Sequence, residues 1–145
     1  MRAVVQRVAE ARVSVGDEII AEIGPGLCVL VGVAREDEDS AAERLARRIA
    51  RLRIFDNEEG KFDRSVLDTG GEVLVVSQFT LIAEAEKGNR PSFADAGPPE
   101  EAERLYEALI AALNVLGVPV ETGVFGARMR VEIANDGPVT LLLET

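Results

Sequence analysis

Ser77, Gln78 and Thr80 place two hydroxyls and an amide inside "VSQFTL", a run that is otherwise apolar. Strand alternation would put Ser77 and Phe79 on one face and Gln78 and Thr80 on the other. Two readings stand: neighbouring backbone satisfies these groups as the strand ends, or the strand end offers hydroxyls, an amide and free N–H groups to a ligand. Ten residues on, "KGNRPSF" supplies Lys87 and Arg90 around a Gly and a Pro-fixed bend. That combination suits an anionic or polar substrate, and it equally suits a solvated loop.

Other chemistries are closed off by residue type. The chain has no histidine, which removes Ser-His-Asp and Cys-His mechanisms, HExxH zinc sites and a histidine general base. Its one cysteine, Cys28 in "LCVLVGV", reads as a small buried hydrophobe and cannot form an internal disulfide. No DxDxDG-like loop, P-loop or GxGxxG occurs, so neither a metal nor a cofactor is expected. Among 26 acidic residues no catalytic carboxylate pair stands out. Arg44, Arg47, Arg48 and Arg51 fall within two helical turns, but acids at 36–39 and 43 precede them, which favours a solvated, ion-paired face over a phosphate-binding stripe.

The elements that must carry these groups follow from periodicity. "MRAVVQRV" and "EARVSV" read as strands, and Gly16-Asp17 as a hairpin turn before "EIIAEI". "LCVLVGV" and "EVLVVSQFTL" have the continuous apolar character of buried strands. A helix is predicted from about Ala41 to about Leu52, opened by a Ser40/Glu43 capping box. A second follows Pro98-Pro99 and ends at Gly117. "DNEEGKFDRS" reads as a turn-rich connection, residues 82–99 as a loop, and "VPVETG", "ARMRVEIA" and "VTLLLET" as closing strands separated by "NDGPVT". One α+β domain over residues 1–145 is expected: an antiparallel, barrel-like sheet with two main helices. A net charge of −10 argues against generalised binding to nucleic acid or anionic membranes. The absence of a spanning or leader-like segment makes the cytoplasm the expected location.

In order along the chain, "MRAVVQRV", "SQFTL", "KGNRPSF", "TGVFGARM" and "NDGPVT" closely resemble the D-aminoacyl-tRNA deacylase family, also called D-tyrosyl-tRNA deacylases. The resemblance implies a homodimer that hydrolyses the ester between a D-amino acid, or glycine, and the 3′ end of tRNA. It implies that Ser77, Gln78, Phe79 and Thr80 form the catalytic motif, with the Phe79 N–H as oxyanion donor. It also implies that Gly137-Pro138, joined by a cis peptide bond, reaches into the partner subunit's pocket to exclude L-amino acids. Arg7 is expected to hold that loop and Met129 to line the same region, with Lys87 and Arg90 near the tRNA acceptor end. A histidine-free chain suits such a reaction, because an aminoacyl ester is already reactive and the terminal 2′-hydroxyl can assist attack. Two alternatives make different predictions. A non-catalytic dimer binding a small ligand or protein would show no ester turnover, and a carboxylate-based hydrolase would lose activity on substitution of one Asp or Glu.

Overall fold

A computed structural model describes residues 1–145. Strand β1 (Arg2–Val15) is the organising element, because it pairs with three other strands. The expected break between "MRAVVQRV" and "EARVSV" is absent. One edge of β1 is shared instead, by β2 (Glu18–Ile23) along its second half and β3 (Gly26–Gly32) along its first. Gly16, at φ +59°, makes the expected turn into β2.

The sheet is mixed rather than antiparallel. Strand β6 (Glu72–Ser77) runs parallel to β3, and β7 (Val120–Thr122) parallel to β6, giving the order β2-β1-β3-β6-β7. The helical crossovers between these strands allow the parallel pairing. Strand β8 (Arg130–Glu144) covers the other edge of β1 over nearly its whole length. The two closing strands are therefore one, and "NDGPVT" is a bulge within it: from Val8 to Gln6 on β1, β8 advances from Asn135 to Thr140. The Gly137-Pro138 peptide bond is cis, as the family resemblance implies.

Apolar residues on the two faces of the sheet build two cores. On one face Val5, Leu27, Val29, Val73 and Val75 pack beneath helices α1 (Asp39–Arg51) and α3 (Pro99–Val115). Alanines 41, 42, 46 and 50 keep the buried side of α1 narrow, letting it lie close to the sheet and to α3. On the other face Val8, Val13, Ile23, Cys28, Leu74 and Val76 meet Met129, Val131 and Ile133 from β8 and the segment before it, so the sheet curls toward a barrel.

Several local expectations shift. Helix α1 begins two residues early, at Asp39 after Glu38, and makes no capping box. The Ser40 hydroxyl accepts from Arg44 Nη1 instead, while Asp37 turns the chain by accepting from the Ala34 N–H and the Met1 ammonium. The capping box lies elsewhere, at Ser65 and Asp68 of a one-turn helix α2 (Val66–Thr69) that adds to the two main helices expected. Within "DNEEGKFDRS" and its preceding Phe, Phe55–Asp56 (β4) and Phe62–Arg64 (β5) pair as a small separate hairpin. Strand β6 stops at Ser77, and Phe79–Ile82 winds into a 3₁₀ turn. Face alternation therefore ends before Phe79.

Candidate active site

The C-terminal end of β6 opens into a cavity of about 460 Å³. Val76 and Ser77 form its floor, and Gln78 and Phe79, where the strand breaks into the 3₁₀ turn, form its lip. Gly97, just before α3, and Ala102 in its first turn make one wall with Ala96, and Phe125 and Met129 the other. Small residues keep that first wall thin: a Cβ on Gly97 would stand 3.3 Å from the Val33 carbonyl oxygen. None of the 14 lining residues has a titratable side chain. Any charge handled in this cavity must be met by backbone dipoles, hydroxyls and amides.

The polar groups are arranged on the lip. The Gln78 N–H still donates to Val31 O at 2.8 Å, holding the end of β6 to β3. Its side-chain Nε2 donates to Thr80 Oγ1, so the two residues that alternation placed together do interact, across a turn rather than along a strand. Phe79 and Thr80 supply the first N–H groups of a 3₁₀ turn, which have no partner three residues back within it. Phe79 is 56% exposed, and its ring tilts against that of Phe93, 5.0 Å between centroids. Behind the cavity, Tyr106 donates to Val75 O at 2.9 Å and its ring meets Phe125 at 5.8 Å. Burial pushes the Tyr106 phenol up to about 12, so it is a neutral structural donor at physiological pH. The same cause pushes the Cys28 thiol up to about 12 and leaves it inert, as its apolar setting suggests.

Ser77, Gln78, Phe79 and Met129 thus line one cavity, and Thr80 adjoins it. Lys87 and Arg90 lie exposed on the loop that also carries Phe93, and are not among the lining residues. Arg7, Gly137 and Pro138 form a separate constellation. Arg7 pairs with Leu27, which pairs with Val73, four residues down β6 from Ser77. At about 3.3 Å per residue that is a separation of ~13 Å along the sheet. Arg7 is buried, and its Nε donates to Asp136 O at 3.2 Å. Its Nη1 donates to Ile54 O at 2.8 Å and to Asp56 Oδ1 at 3.2 Å. The walls at Gly97, Ala102 and Phe125 had no signal in periodicity, although Phe125 falls within the "TGVFGARM" motif. No group of three or more His, Cys, Asp and Glu side chains converges as a metal site would require, and no helix is long and apolar enough to cross a membrane.

Residues 4–144 match the family model described as D-Tyr-tRNA(Tyr) deacylase. The chain belongs to this family. A D-aminoacyl-tRNA deacylase of Roseiflexus sp. is 57% identical over 145 residues, spanning all of this chain and 94% of the relative. That of Ruegeria pomeroyi is 56% identical over 144 residues, 99% of each. Among solved structures, the c-Myc DNA unwinding element binding protein superposes with a TM-score of 0.95 at 47% identity, covering 100% of this chain and 99% of the other. A probable eukaryotic D-amino acid tRNA deacylase superposes at 0.84 with 18% identity, covering 98% and 97%, which shows a shared fold. As a member of a deacylase family the chain is an enzyme, an ester hydrolase whose substrate class is aminoacyl-tRNA.

Proposed function

We propose that the cavity at the end of β6 receives the 3′-terminal aminoacyl-adenosine of tRNA and hydrolyses the ester of D-aminoacyl-tRNA and of mischarged glycyl-tRNA. The observation that carries this reading is the site's composition: an open cavity with hydroxyl, amide and free N–H groups on its floor and lip and no titratable side chain inside. Such a site cannot supply a strong base, and an activated ester does not need one. Water adds to the carbonyl carbon, and the Phe79 N–H takes the developing oxyanion. The C–O bond to the ribose 3′-oxygen then breaks, the neighbouring 2′-hydroxyl assisting proton transfer to the leaving oxygen. Ser77, Gln78 and Thr80 orient the substrate. Thr80 is not the nucleophile in this reading, because its hydroxyl faces an amide donor rather than a base.

Chiral selection is assigned to Gly137-Pro138 of a second subunit. Within one protomer this loop stands some 13 Å along the sheet from Ser77, too far to bound the same chain's cavity. Its strand β8 pairs only with β1, which leaves its outer edge free, and Leu141 and Leu142, on opposite faces of the strand, are both exposed. In a homodimer each loop reaches the partner's cavity. There it fills the space an L side chain would need, while a D side chain points away and glycine has nothing to clash. Lys87 and Arg90 meet the acceptor end, in the cytoplasm where charged tRNA is used.

Deacylation of D-tyrosyl-, L-tyrosyl- and glycyl-tRNA by the wild type and Pro138→Ala tests the reading. The wild type should cleave the D and glycyl esters and spare the L ester, and the variant should admit it. Inertness toward all three would overturn the assignment.

A further inference from the structure

The β4–β5 hairpin lies outside the main sheet and the cavity, touches the helix-covered core through Phe55, and is anchored from several sides. The Asn57 side-chain oxygen accepts from the N–H groups of Glu59 and Lys61, Arg53 pairs with Asp63, and the Ser65 capping box fixes the exit. What it presents is Asp56 and Phe62, and both face Arg7. The Asp56 carboxylate takes Nη1 at 3.2 Å, and the guanidinium carbon lies 5.6 Å from the centroid of the Phe62 ring. The other side of Arg7 carries the selectivity loop. Nε reaches the Asp136 carbonyl at 3.2 Å and the Asp136 carboxylate at 3.6 Å, and Nη2 stands 3.1 Å from where a Cβ on Gly137 would lie.

We propose that the hairpin is a bracket for chiral selectivity, with Asp56 and Phe62 as positioning residues that aim Arg7, and through it the Gly137-Pro138 loop. This rests on the selectivity role given to that loop above. Apart from the loop itself, which takes Nε, the Ile54 carbonyl alone would fix one donor of this long side chain and leave its plane freedom to swing. A carboxylate on the edge and a ring on the face remove that freedom. Both groups are about half exposed, Asp56 at 46% by side chain and Phe62 at 56%. Neither holds a core together, so truncating them perturbs the aim of Arg7 more than the fold.

The experiment compares kcat/KM for L- and D-tyrosyl-tRNA in Asp56→Ala, Phe62→Leu, Asp56→Asn, Phe62→Tyr and Pro138→Ala, with thermal midpoints alongside. Asp56→Ala and Phe62→Leu should each raise the L-to-D ratio about fivefold, the effect of one lost charge-assisted or cation–π contact. Asp56→Asn keeps an acceptor oxygen and Phe62→Tyr keeps a ring, so both should restore most of the discrimination. A general structural role would lower the midpoint and leave the ratio alone. If the ratio stays at the wild-type value in the two truncations while Pro138→Ala admits the L ester, the bracket is wrong and the loop assignment stands. If Pro138→Ala also leaves the ratio unchanged, the loop assignment falls and takes the bracket with it.

Discussion

Replacing Thr80 by Val separates backbone-assisted hydrolysis from covalent catalysis. The substitution keeps the side-chain volume and deletes one hydroxyl, which in the structure accepts from Gln78 Nε2 at an exposed position. What is lost is one hydrogen bond that orients the Gln78 amide, about 1 kcal/mol, or roughly a fivefold fall in kcat/KM. Ser77→Ala at the cavity floor should cost a similar factor. If either hydroxyl were the nucleophile, its removal would cost on the order of 10⁴-fold or more. Single-turnover deacylation of D-tyrosyl-tRNA resolves the two cases easily. The same assay run from pH 5 to 9 adds a second constraint. With no titratable side chain lining the cavity, the profile should contain only the ionisation of the substrate's own α-amino group. Replacing Asp95, which adjoins the Ala96 wall, with Asn should change the rate by less than about threefold, where a lost general base would cost 10²–10⁴. A loss above 10³-fold in Thr80→Val or Ser77→Ala, or above 10²-fold in Asp95→Asn, would show that a side chain and not the backbone carries the reaction.

With two cations, Lys87 and Arg90, on the loop beside Phe79, the logarithm of kcat/KM should fall with log salt at a slope of about −1.4, the value for two single-strand phosphates. A slope of −4 or steeper would mean a larger tRNA footprint. The Cys28 thiol, raised from 9.0 to about 12 by burial, is more acidic in the unfolded chain. Its contribution to stability is fully present below pH 9 and lost as pH climbs toward 12, so the urea midpoint should drop between pH 9 and 10.5 and Cys28→Ala should flatten that drop. Gly26→Ala would place a Cβ 1.9 Å from the Glu72 carbonyl oxygen, backbone that cannot step aside. It should destabilise by about 3 kcal/mol and lower the melting midpoint by about 10 °C in a thermal scan.

Much of the architecture was legible because it is local. The two long helices, the Gly16 turn and the burial of "LCVLVGV" follow from spacing and turn chemistry that each segment carries in itself. The differences come from pairings that no single segment's pattern announces, some across the whole chain and some across a few residues. Ala9 and Glu10 could have ended a strand, but β8 bridges them by pairing past Val8 and Glu10 with bulges. Ser40 and Glu43 matched a capping pattern, but the helix begins at Asp39 after Glu38 with no side-chain cap, and the Ser40 hydroxyl is taken by Arg44. The stretch 55–64 is turn-rich and still forms strands, because Phe55 and Arg64 find each other across it.

Residue types alone determined the kind of chemistry: without histidine and with one buried cysteine, only hydroxyls, amides, carboxylates and backbone were available. The ordered motifs likewise marked Ser77–Thr80 and Gly137-Pro138 as the places to look. That the first of these sits on a cavity free of titratable groups, and that the second stands ~13 Å away along the same protomer's sheet, was decided only by tertiary structure. The physical reason is register. The level of a residue on a sheet is set by which strands pair and where the bulges fall, and these depend on contacts between segments more than a hundred residues apart.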